Sequence, residues 1–163
     1  MTAAMRIASI EVDGRVLAIR ERAADDDCPD DSSEWDRWDD GERVPGDHHR
    51  AVVLLDDRII GTMSWHAVYY GPTVGSRAWS IGIALAPAWR GQGWGSVAQR
   101  LLGDHLLGDA SRVEASTDVE NVAEQRSLEK AGFEREGVLK AAQVRADGRR
   151  HDLVMYARTT LAG

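Results

Sequence analysis

The stretch Arg90-Gly91-Gln92-Gly93-Trp94-Gly95 joins two segments of different periodicity. Before it, Ala78–Ala86 alternates bulky and small side chains, which is typical of a β-strand with one large and one small face. After it, apolar side chains recur at helical spacing from Trp94 to Leu102. The sequence therefore predicts a strand, a glycine-rich turn and a helix that begins near Gly93.

A glycine-rich turn that opens a helix after a strand is a recurring phosphate-binding arrangement. The first helical turn presents unpaired N–H groups and the positive end of the helix dipole, and the glycines let the backbone approach an anion closely. Arg90, Gln92 and Ser96 add side-chain donors. The turn lacks the Gly-Lys-Ser/Thr ending of a nucleoside triphosphate loop, and its glycines are too closely spaced for the usual dinucleotide fingerprint. We expect it to bind a group similar to pyrophosphate.

Further strands and helices are predicted on both sides of this unit. Asp13-Gly14, Asp56-Asp57-Arg58 and Asp147-Gly148 each separate two extended runs, as hairpin turns do. The expected strands are Arg6–Glu11, Val16–Glu21, Ala51–Leu55, Ile59–Trp65, Ala78–Ala86, Val113–Thr117, Phe133–Lys140 and Asp152–Arg158, with helices from Gly93 and over Asn121–Lys130. Strands around a strand-to-helix crossover indicate one α/β or α+β sheet domain over residues 1–163.

A second motif lies downstream, at Asn121-Val122-Ala123-Glu124-Gln125-Arg126-Ser127-Leu128-Glu129-Lys130-Ala131-Gly132-Phe133. Together with the Arg90-x-x-Gly93-x-Gly95 spacing, it resembles the GNAT (Gcn5-related N-acetyltransferase) superfamily. Members carry Arg/Gln-x-x-Gly-x-Gly/Ala after the fourth strand and Asn-x-x-Ser-x-Arg-x-Leu-Glu-Lys-x-Gly-Phe on a later helix. Glu136–Leu139 and the Gly148 to Asp152 spacing are similar to the RimJ/RimL-like branch. The resemblance implies a mixed, mostly antiparallel central sheet flanked by helices.

By this resemblance, the chain is expected to be an acetyl-CoA-dependent N-acetyltransferase in which a primary amine attacks the thioester directly. Backbone groups of Ile83, Ala84 and Leu85 would pair with the pantetheine arm, and N–H groups around Leu85 would face the developing oxyanion. Residues 90–96 would hold the pyrophosphate. Asn121 would hydrogen-bond the pantetheine arm, although the same position suits a helix N-cap.

The residues expected to handle protons depart from the family pattern. Relatives often carry Glu where this chain has Ser80, just before Ile81-Gly82, and a serine is a weak base. On the later helix, the Ser or Tyr that can protonate the departing thiolate is replaced by Glu124 and Leu128. Glu124 could act as base or acid if its surroundings raise its pKa. Its alternative role is that of a first-turn acid favoured by the helix dipole.

Other polar residues have less support as catalysts. Ser127 is predicted to lie on roughly the opposite side of its helix from the site. His66, Tyr69 and Tyr70 fall where the acceptor cleft would be, but such residues at a strand end are more often structural. Cys28 is the single cysteine, and the acidic residues around it disfavour a thiolate. No Cys cluster has metal-ligand spacing, so no metal is expected.

The charge of the chain is concentrated in one stretch. Residues 25–47, called here the acidic segment, contain eleven acidic and two basic residues, whereas the whole chain has a net charge of −7. Such composition is typical of a solvated loop with irregular helix, and it would also attract a cationic amine acceptor. The overall negative charge argues against nucleic acid as a partner.

The remaining expectations concern location and alternatives. No run approaches the ~20 apolar residues of a membrane span, and Met1–Ser9 lacks a secretory signature, so a cytoplasmic protein is expected. Six tryptophans would suit either a homodimer interface or a core. Two other functions remain open: a catalytically impaired acyl-CoA-binding regulatory domain, and a phosphate binder that does not take CoA.

Overall fold

A computed structural model describes residues 4–160 of the chain. Within that range the strands and α-helices are, in chain order, β1 (Arg6–Val12), β2 (Arg15–Glu21), β3 (His49–Leu55), β4 (Arg58–Tyr69), β5 (Arg77–Leu85), α1 (Trp94–Leu106), β6 (Arg112–Asp118), α2 (Val122–Lys130), β7 (Glu134–Val144) and β8 (Arg150–Thr159). The strand, glycine-rich turn and helix predicted around residue 93 are present, with Gly93 as the N-cap of α1.

The strands form one eight-stranded sheet in the order β1-β2-β3-β4-β5-β6-β8-β7. Neighbours are antiparallel except β5 and β6, which are parallel. A parallel pair needs a crossover connection, and α1 lies in that connection. The predicted mixed, mostly antiparallel sheet flanked by helices is confirmed.

Two tight turns fix the register of the first four strands. Asp13 and Gly14 have φ of 50° and 76°, and Asp56 and Asp57 have φ of 48° and 64°. Positive φ at both central residues defines a type I′ turn, whose twist matches that of a two-stranded antiparallel ribbon. The hairpins predicted at these two positions therefore form with two-residue loops.

One face of the sheet, called the helix face, carries the main core. Fully buried side chains of β2, β3 and β4 pack there against Ala98, Leu102 and Leu106 of α1 and Leu128 of α2. The opposite face, called the open face, has a smaller apolar cluster of Ala18, Val52 and Leu54, against which Cys28 and Ile59 pack. Since Cys28 belongs to the acidic segment, that segment begins its course on the open face.

Two strands end well beyond the prediction, whereas the other element ends agree within about two residues. Strand β4 continues past the predicted Trp65 to Tyr69, because β4 and β5 stay paired as far as Tyr69 and Arg77. Strand β7 runs to Val144 rather than Lys140, across an irregularity in its pairing with β8 between Leu139 and Gln143. In residues 4–160 no helix is both long and apolar enough to span a bilayer.

Gly61 of β4 lies where the backbone of β5 leaves no room for a side chain. A Cβ there would be 2.3 Å from the carbonyl oxygen of Ala84 and 2.9 Å from the Cα of Leu85. We expect Gly61→Ala to force the two strands apart and to lower the free energy of unfolding by about 2 kcal/mol or more, measured by urea denaturation.

Gly82, on the neighbouring strand, is the matched control for this substitution. A Cβ there would be 3.3 Å from the Ser64 hydroxyl oxygen, which can rotate away. Gly82→Ala should therefore change stability by less than about 0.5 kcal/mol. Equal losses in the two variants would contradict the close approach at Gly61.

Candidate active site

The candidate site begins where β5 and β6 separate. Their pairing is limited to Trp79 with Val113 and Ser80 with Glu114. Beyond that point β5 remains paired with β4, and β6 remains paired with β8. The two strands therefore diverge, and the wedge-shaped gap between Ile81–Leu85 and residues 115–118 is called the splay.

The backbone of β5 presents half of its polar groups to the splay. Ala86 N–H donates to the Ile60 carbonyl at 2.9 Å, which sets the phase of the β4–β5 ladder. Because bonded residues alternate along an antiparallel pair, Gly82 and Ala84 direct their backbone groups towards β4. Ile83 and Leu85 direct theirs into the splay.

The phase of the hydrogen bonds between β4 and β5 corrects part of the sequence prediction. Ile83 and Leu85 have backbone groups oriented for the expected strand-like pairing, but the backbone of Ala84 is engaged with Thr62 of β4. Periodicity identifies which side chains share a face, but not which neighbouring strand the backbone groups meet. Ala84 instead contributes a small side chain to the open face.

The glycine-rich loop lies at the wide end of the splay. Gly91 and Gly93 have φ of 71° and 89°, and a Cβ at either position would have nothing within 4 Å. Gly93 caps α1 without any side-chain hydrogen bond. The first N–H groups of the helix thus have only backbone in front of them, as an anion-binding helix start requires.

The loop side chains are arranged differently from the prediction. Gln92 donates back to the Ala88 carbonyl at 2.8 Å, and Ser96 pairs with the Ser127 hydroxyl at 3.2 Å. Arg90 donates from Nε to the Leu85 carbonyl at 2.8 Å, and from Nη2 to the carbonyls of Asp31 and Ser32. Each of these donors contacts protein, so the loop backbone is the principal surface left for a ligand.

A polar network joins α1 to α2 beside the loop. Gln99 of α1 is buried, and its amide nitrogen donates to Glu124 while its amide oxygen accepts from Ser127 at 2.8 Å. Both ends of this buried amide are therefore satisfied. Ser127 lies on the same face of α2 as Glu124, so its predicted place on the opposite side is wrong; residues three apart on a helix are neighbours.

Glu124 has an unusual proton affinity for a carboxyl group. It is half-buried between the two helices, and this desolvation raises its pKa to about 7, against the opposing effect of the Gln99 hydrogen bond. Asp36, in the acidic segment, contributes a further upward shift through its negative charge. A group with this pKa exchanges protons readily at neutral pH.

The other predicted positions on α2 have structural roles. Asn121 is the N-cap of the helix, and its side-chain oxygen accepts from the Glu124 N–H at 3.3 Å. Leu128 is fully buried in the main core. The capping role foreseen for Asn121 is thus present, and its contact with the pantetheine arm stays a prediction.

Ser80 marks the narrow end of the splay, on the open face. Its cross-strand neighbours there are His66 of β4 and Glu114 of β6. Glu114 is buried and accepts hydrogen bonds from the Tyr70 hydroxyl and from Arg112 Nε. Burial, and then the adjacent His48, lower the pKa of His66, against the attraction of Glu114. These polar side chains lie together on the open face beside Ser80.

The acidic segment crosses the open face and is attached at three points. Near its start, Asp26 forms a salt bridge with Arg20 at 2.7 Å. Further along, the Thr62 hydroxyl donates to Asp31 at 2.6 Å. Beyond the 3₁₀ turn, Trp38 forms a β-bridge with Arg145 of the β7–β8 connection. Among residues 4–160, no set of three or more acidic, His or Cys side chains is arranged to hold a metal ion.

Comparison with known proteins identifies the class to which this site belongs. The sequence model of the acetyltransferase (GNAT) domain matches residues 8–134. The chain belongs to the GNAT acetyltransferase family, as its two motifs predicted. YjcK of Bacillus subtilis (strain 168), a probable N-acetyltransferase, is 36% identical over 95 residues, which are 57% of this chain and 51% of that protein.

Solved structures of similar fold include two acetyltransferases of the predicted branch. The RimL ribosomal L7/L12 alpha-N-protein acetyltransferase, in complex with coenzyme A, is 28% identical with a TM-score of 0.60, covering 69% of this chain and 62% of that one. RimJ of Mycobacterium smegmatis, in complex with a CoA disulfide, is 25% identical with a TM-score of 0.61, covering 69% and 53%. The chain thus spans about half the length of YjcK and less than two thirds of either solved structure.

Sequence reasoning missed three features of the site. Gln99 lies outside the predicted apolar stripe of α1 but is buried, and only its contact with Glu124 reveals its role. Ser127, expected on the opposite side of α2, lies on the same face as Glu124 and shares Gln99 with it. The path of the acidic segment depends on Asp31 meeting Thr62 and on Trp38 meeting Arg145, contacts between residues far apart in the chain. No local pattern signals such contacts.

The raised pKa of Glu124 makes a prediction about stability. Between the ordinary carboxyl pKa of 4.5 and about 7, the folded protein keeps a proton that the unfolded chain releases. Stability should therefore fall as pH rises through that window. Glu124→Gln removes this loss, and the variant should be more stable than the parent at pH 8 by about 1–3 kcal/mol, with little difference at pH 4.5.

Urea denaturation at both pH values measures this difference. Glu134→Gln, which removes an exposed carboxylate on β7, is the control and should follow the parent at both pH values. If the free energy of unfolding changes with pH by the same amount in Glu124→Gln and the parent, the pKa of Glu124 is not raised.

Proposed function

We propose that this protein is an acetyl-CoA-dependent N-acetyltransferase that transfers the acetyl group to a primary amine. The observation that carries the proposal is the splay: a strand edge that β6 does not pair with, which leads from the glycine-rich start of α1 to Ser80. Family membership supports it, as does the likeness to RimL and RimJ, which were solved with CoA. A loop alone would suit many phosphates, but a loop joined to such an edge suits a phosphate with an extended amide arm.

The residues present fit the two ends of acetyl-CoA. The backbone of Gly91–Ser96 would bind the pyrophosphate, with the positive end of the α1 dipole behind it. The outward backbone groups of Ile83 and the N–H of Leu85 would pair with the amides of the pantetheine arm, while the Leu85 carbonyl accepts from Arg90. Asn121 lies at the start of α2 and would add a side-chain contact. Acetyl-CoA is here a substrate, and it supplies the thioester.

The transfer needs a proton acceptor for the amine and a proton donor for the sulfur, and Glu124 is suited to both roles. The ammonium nitrogen passes one proton to Glu124, bonds to the thioester carbonyl carbon as the carbon–sulfur bond breaks, and releases a second proton to solvent, while the sulfur gains one. With a pKa of about 7, Glu124 can accept the proton of the amine and donate it to the sulfur at neutral pH. Gln99 fixes the position of its carboxyl group. No covalent intermediate with the protein is required.

The acceptor class is narrowed by charge to amines that are cationic before they react. A protein N-terminus or a small cationic amine meets this condition. The acidic segment lies over the open face, opposite the helices, where Asp31 meets Thr62 and Asp36 is close enough to shift the pKa of Glu124. Its negative field would concentrate cations at this side of the splay.

A second function is favoured by two of the replacements. Ser80 is a weak base, and Leu128 is a buried core residue rather than a thiolate acid. The chain would then bind acyl-CoA without turnover, as a regulatory domain. Both functions require CoA binding, so only a turnover measurement separates them.

Thiol release from acetyl-CoA tests the proposal directly. A panel of an N-terminal alanine peptide, putrescine, spermidine and tyramine should include at least one amine that is acetylated. Tight CoA binding without thiol release for any of them would favour the regulatory domain. A site that binds CoA should stabilise the protein by about 2.7 kcal/mol when CoA is at 100 times its dissociation constant, and no stabilisation at any CoA concentration would show that the site does not take CoA.

Glu124→Gln tests the proton-transfer role. We expect the parent kcat/KM to rise with pH to a plateau above about 7, since the carboxylate is the active form for accepting the amine proton. In the variant, kcat should fall about 10²- to 10⁴-fold. The rise of kcat/KM with pH that reflects Glu124 should also be absent. Glu134→Gln should retain the parent profile. An unchanged rate in Glu124→Gln would remove Glu124 from the mechanism.

A further inference from the structure

Arg90 joins three parts of the molecule through one guanidinium group. Its Nε donates to the carbonyl of Leu85 at 2.8 Å, where β5 ends. Its Nη2 donates to the carbonyls of Asp31 at 3.1 Å and Ser32 at 3.0 Å, in the acidic segment. Three of the five guanidinium N–H groups thus donate to backbone oxygens. One of these oxygens lies at the end of β5, and the other two are 59 and 58 residues away from Arg90 in the sequence.

The segment held by Arg90 leads directly to the reactive part of the site. Asp31 is fixed twice, by its carbonyl to Arg90 and by its carboxylate to the Thr62 hydroxyl at 2.6 Å. The chain then enters the short 3₁₀ turn Glu34–Asp36, whose last residue influences the pKa of Glu124. The course of the segment between the sheet and Glu124 is therefore set at Asp31 and Ser32.

The charge of Arg90 is also met by the acidic segment. Hydrogen bonds from Ser32 lower the pKa of the Asp30 carboxyl, and the positive charge of Arg90 lowers it further. Other cations lie at the loop: Arg15 is within 6 Å of the rings of Trp89 and Trp94, and Arg58 is within 6 Å of Trp89. Attraction of a phosphate to this end of the molecule does not depend on Arg90.

We propose that Arg90 is a positioning residue that fixes the acidic segment over the splay and so ties the acceptor side of the site to the cofactor loop. This inference rests on the proposed function and adds to it separate roles for the loop backbone and the Arg90 side chain. The backbone of Gly91–Ser96 binds the pyrophosphate, and Arg90 holds the acidic segment against which the amine binds. It replaces the expectation that Arg90 serves chiefly as a phosphate ligand.

Lysine and alanine at this position separate the two roles. Arg90→Lys keeps the positive charge, but an ammonium group presents its donors from one point and cannot span three carbonyls as the planar guanidinium does. A phosphate ligand would be largely rescued by lysine, whereas a positioning residue would not. Thr62→Val is the matched control, because it removes the other hydrogen bond to Asp31 without touching the loop.

Hydrogen exchange of the backbone amides in residues 28–38, with and without bound CoA, measures the attachment itself. The N–H groups of Trp35 and Asp36 are hydrogen-bonded within the segment and report its order. We expect about tenfold faster exchange in Arg90→Ala, Arg90→Lys and Thr62→Val, because each loses a hydrogen bond that involves a charged group. Circular dichroism confirms that each variant remains folded.

Binding and kinetics complete the test. In all three variants the dissociation constant for CoA should change less than about threefold at low and moderate salt, while the KM for the best amine of the panel rises about tenfold with little change in kcat. The proposal is overturned if Arg90→Lys restores parent-like exchange and amine KM. It is equally overturned if Arg90→Ala weakens CoA binding tenfold, with Thr62→Val and Arg90→Lys unaffected.

The exchange and CoA measurements need no turnover. If no amine on the panel is acetylated, the proposed enzymatic function fails, yet these two measurements still show whether Arg90 holds the segment. If turnover occurs but exchange in residues 28–38 is the same in every variant, the enzyme stands and the role of Arg90 falls.

Discussion

The divergence of β5 from β6 is the constraint on which the rest of this structure depends. Backbone N–H and C=O groups in a sheet need partners, and Ile83 and Leu85 direct theirs into a gap where no strand follows, with the Leu85 carbonyl met by Arg90. This edge is available because β6 stays paired with β8 but diverges from β5 after Ser80. The helices close one side of the gap and the acidic segment covers the other. A binding edge for an extended chain with amide groups is thus a consequence of the topology.

Most of the fold could be predicted because its signals are local. Asp13-Gly14 and Asp56-Asp57 adopt the positive φ angles that two-residue hairpins need, and the alternation in Ala78–Ala86 and the helical spacing after Gly93 each belong to one element. The candidate site is predictable only in part. The glycine-rich loop and Asn121 are local signals, but the partners of Arg90, Gln99 and Ser127 come from other elements. Their roles depend on packing, which short-range patterns do not contain.

Glu124 shows how a substitution can change the chemistry of a position without changing its geometry. The family pattern has a serine there, and this chain has a carboxyl group that packs beside the buried amide of Gln99. Desolvation penalises the charged form more than one hydrogen bond favours it, so its pKa rises to about 7. A serine at that position could only relay a proton, whereas this carboxyl group can hold one or release it near neutral pH.

The acidic segment poses an electrostatic conflict for the proposed function, which arginine side chains at the loop offset. Its charge would favour a cationic acceptor but oppose an anionic cofactor, and in the proposed reaction the two meet at one thioester. The glycine-rich loop lies at the wide end of the splay, where Arg90, Arg15 and Arg58 place positive charge. Asp36 raises the pKa of the half-buried Glu124, whereas the loop is influenced by these arginines and by the helix dipole. One short segment can in this way bias the acceptor without weakening the hold on the cofactor, provided that its path over the sheet is fixed.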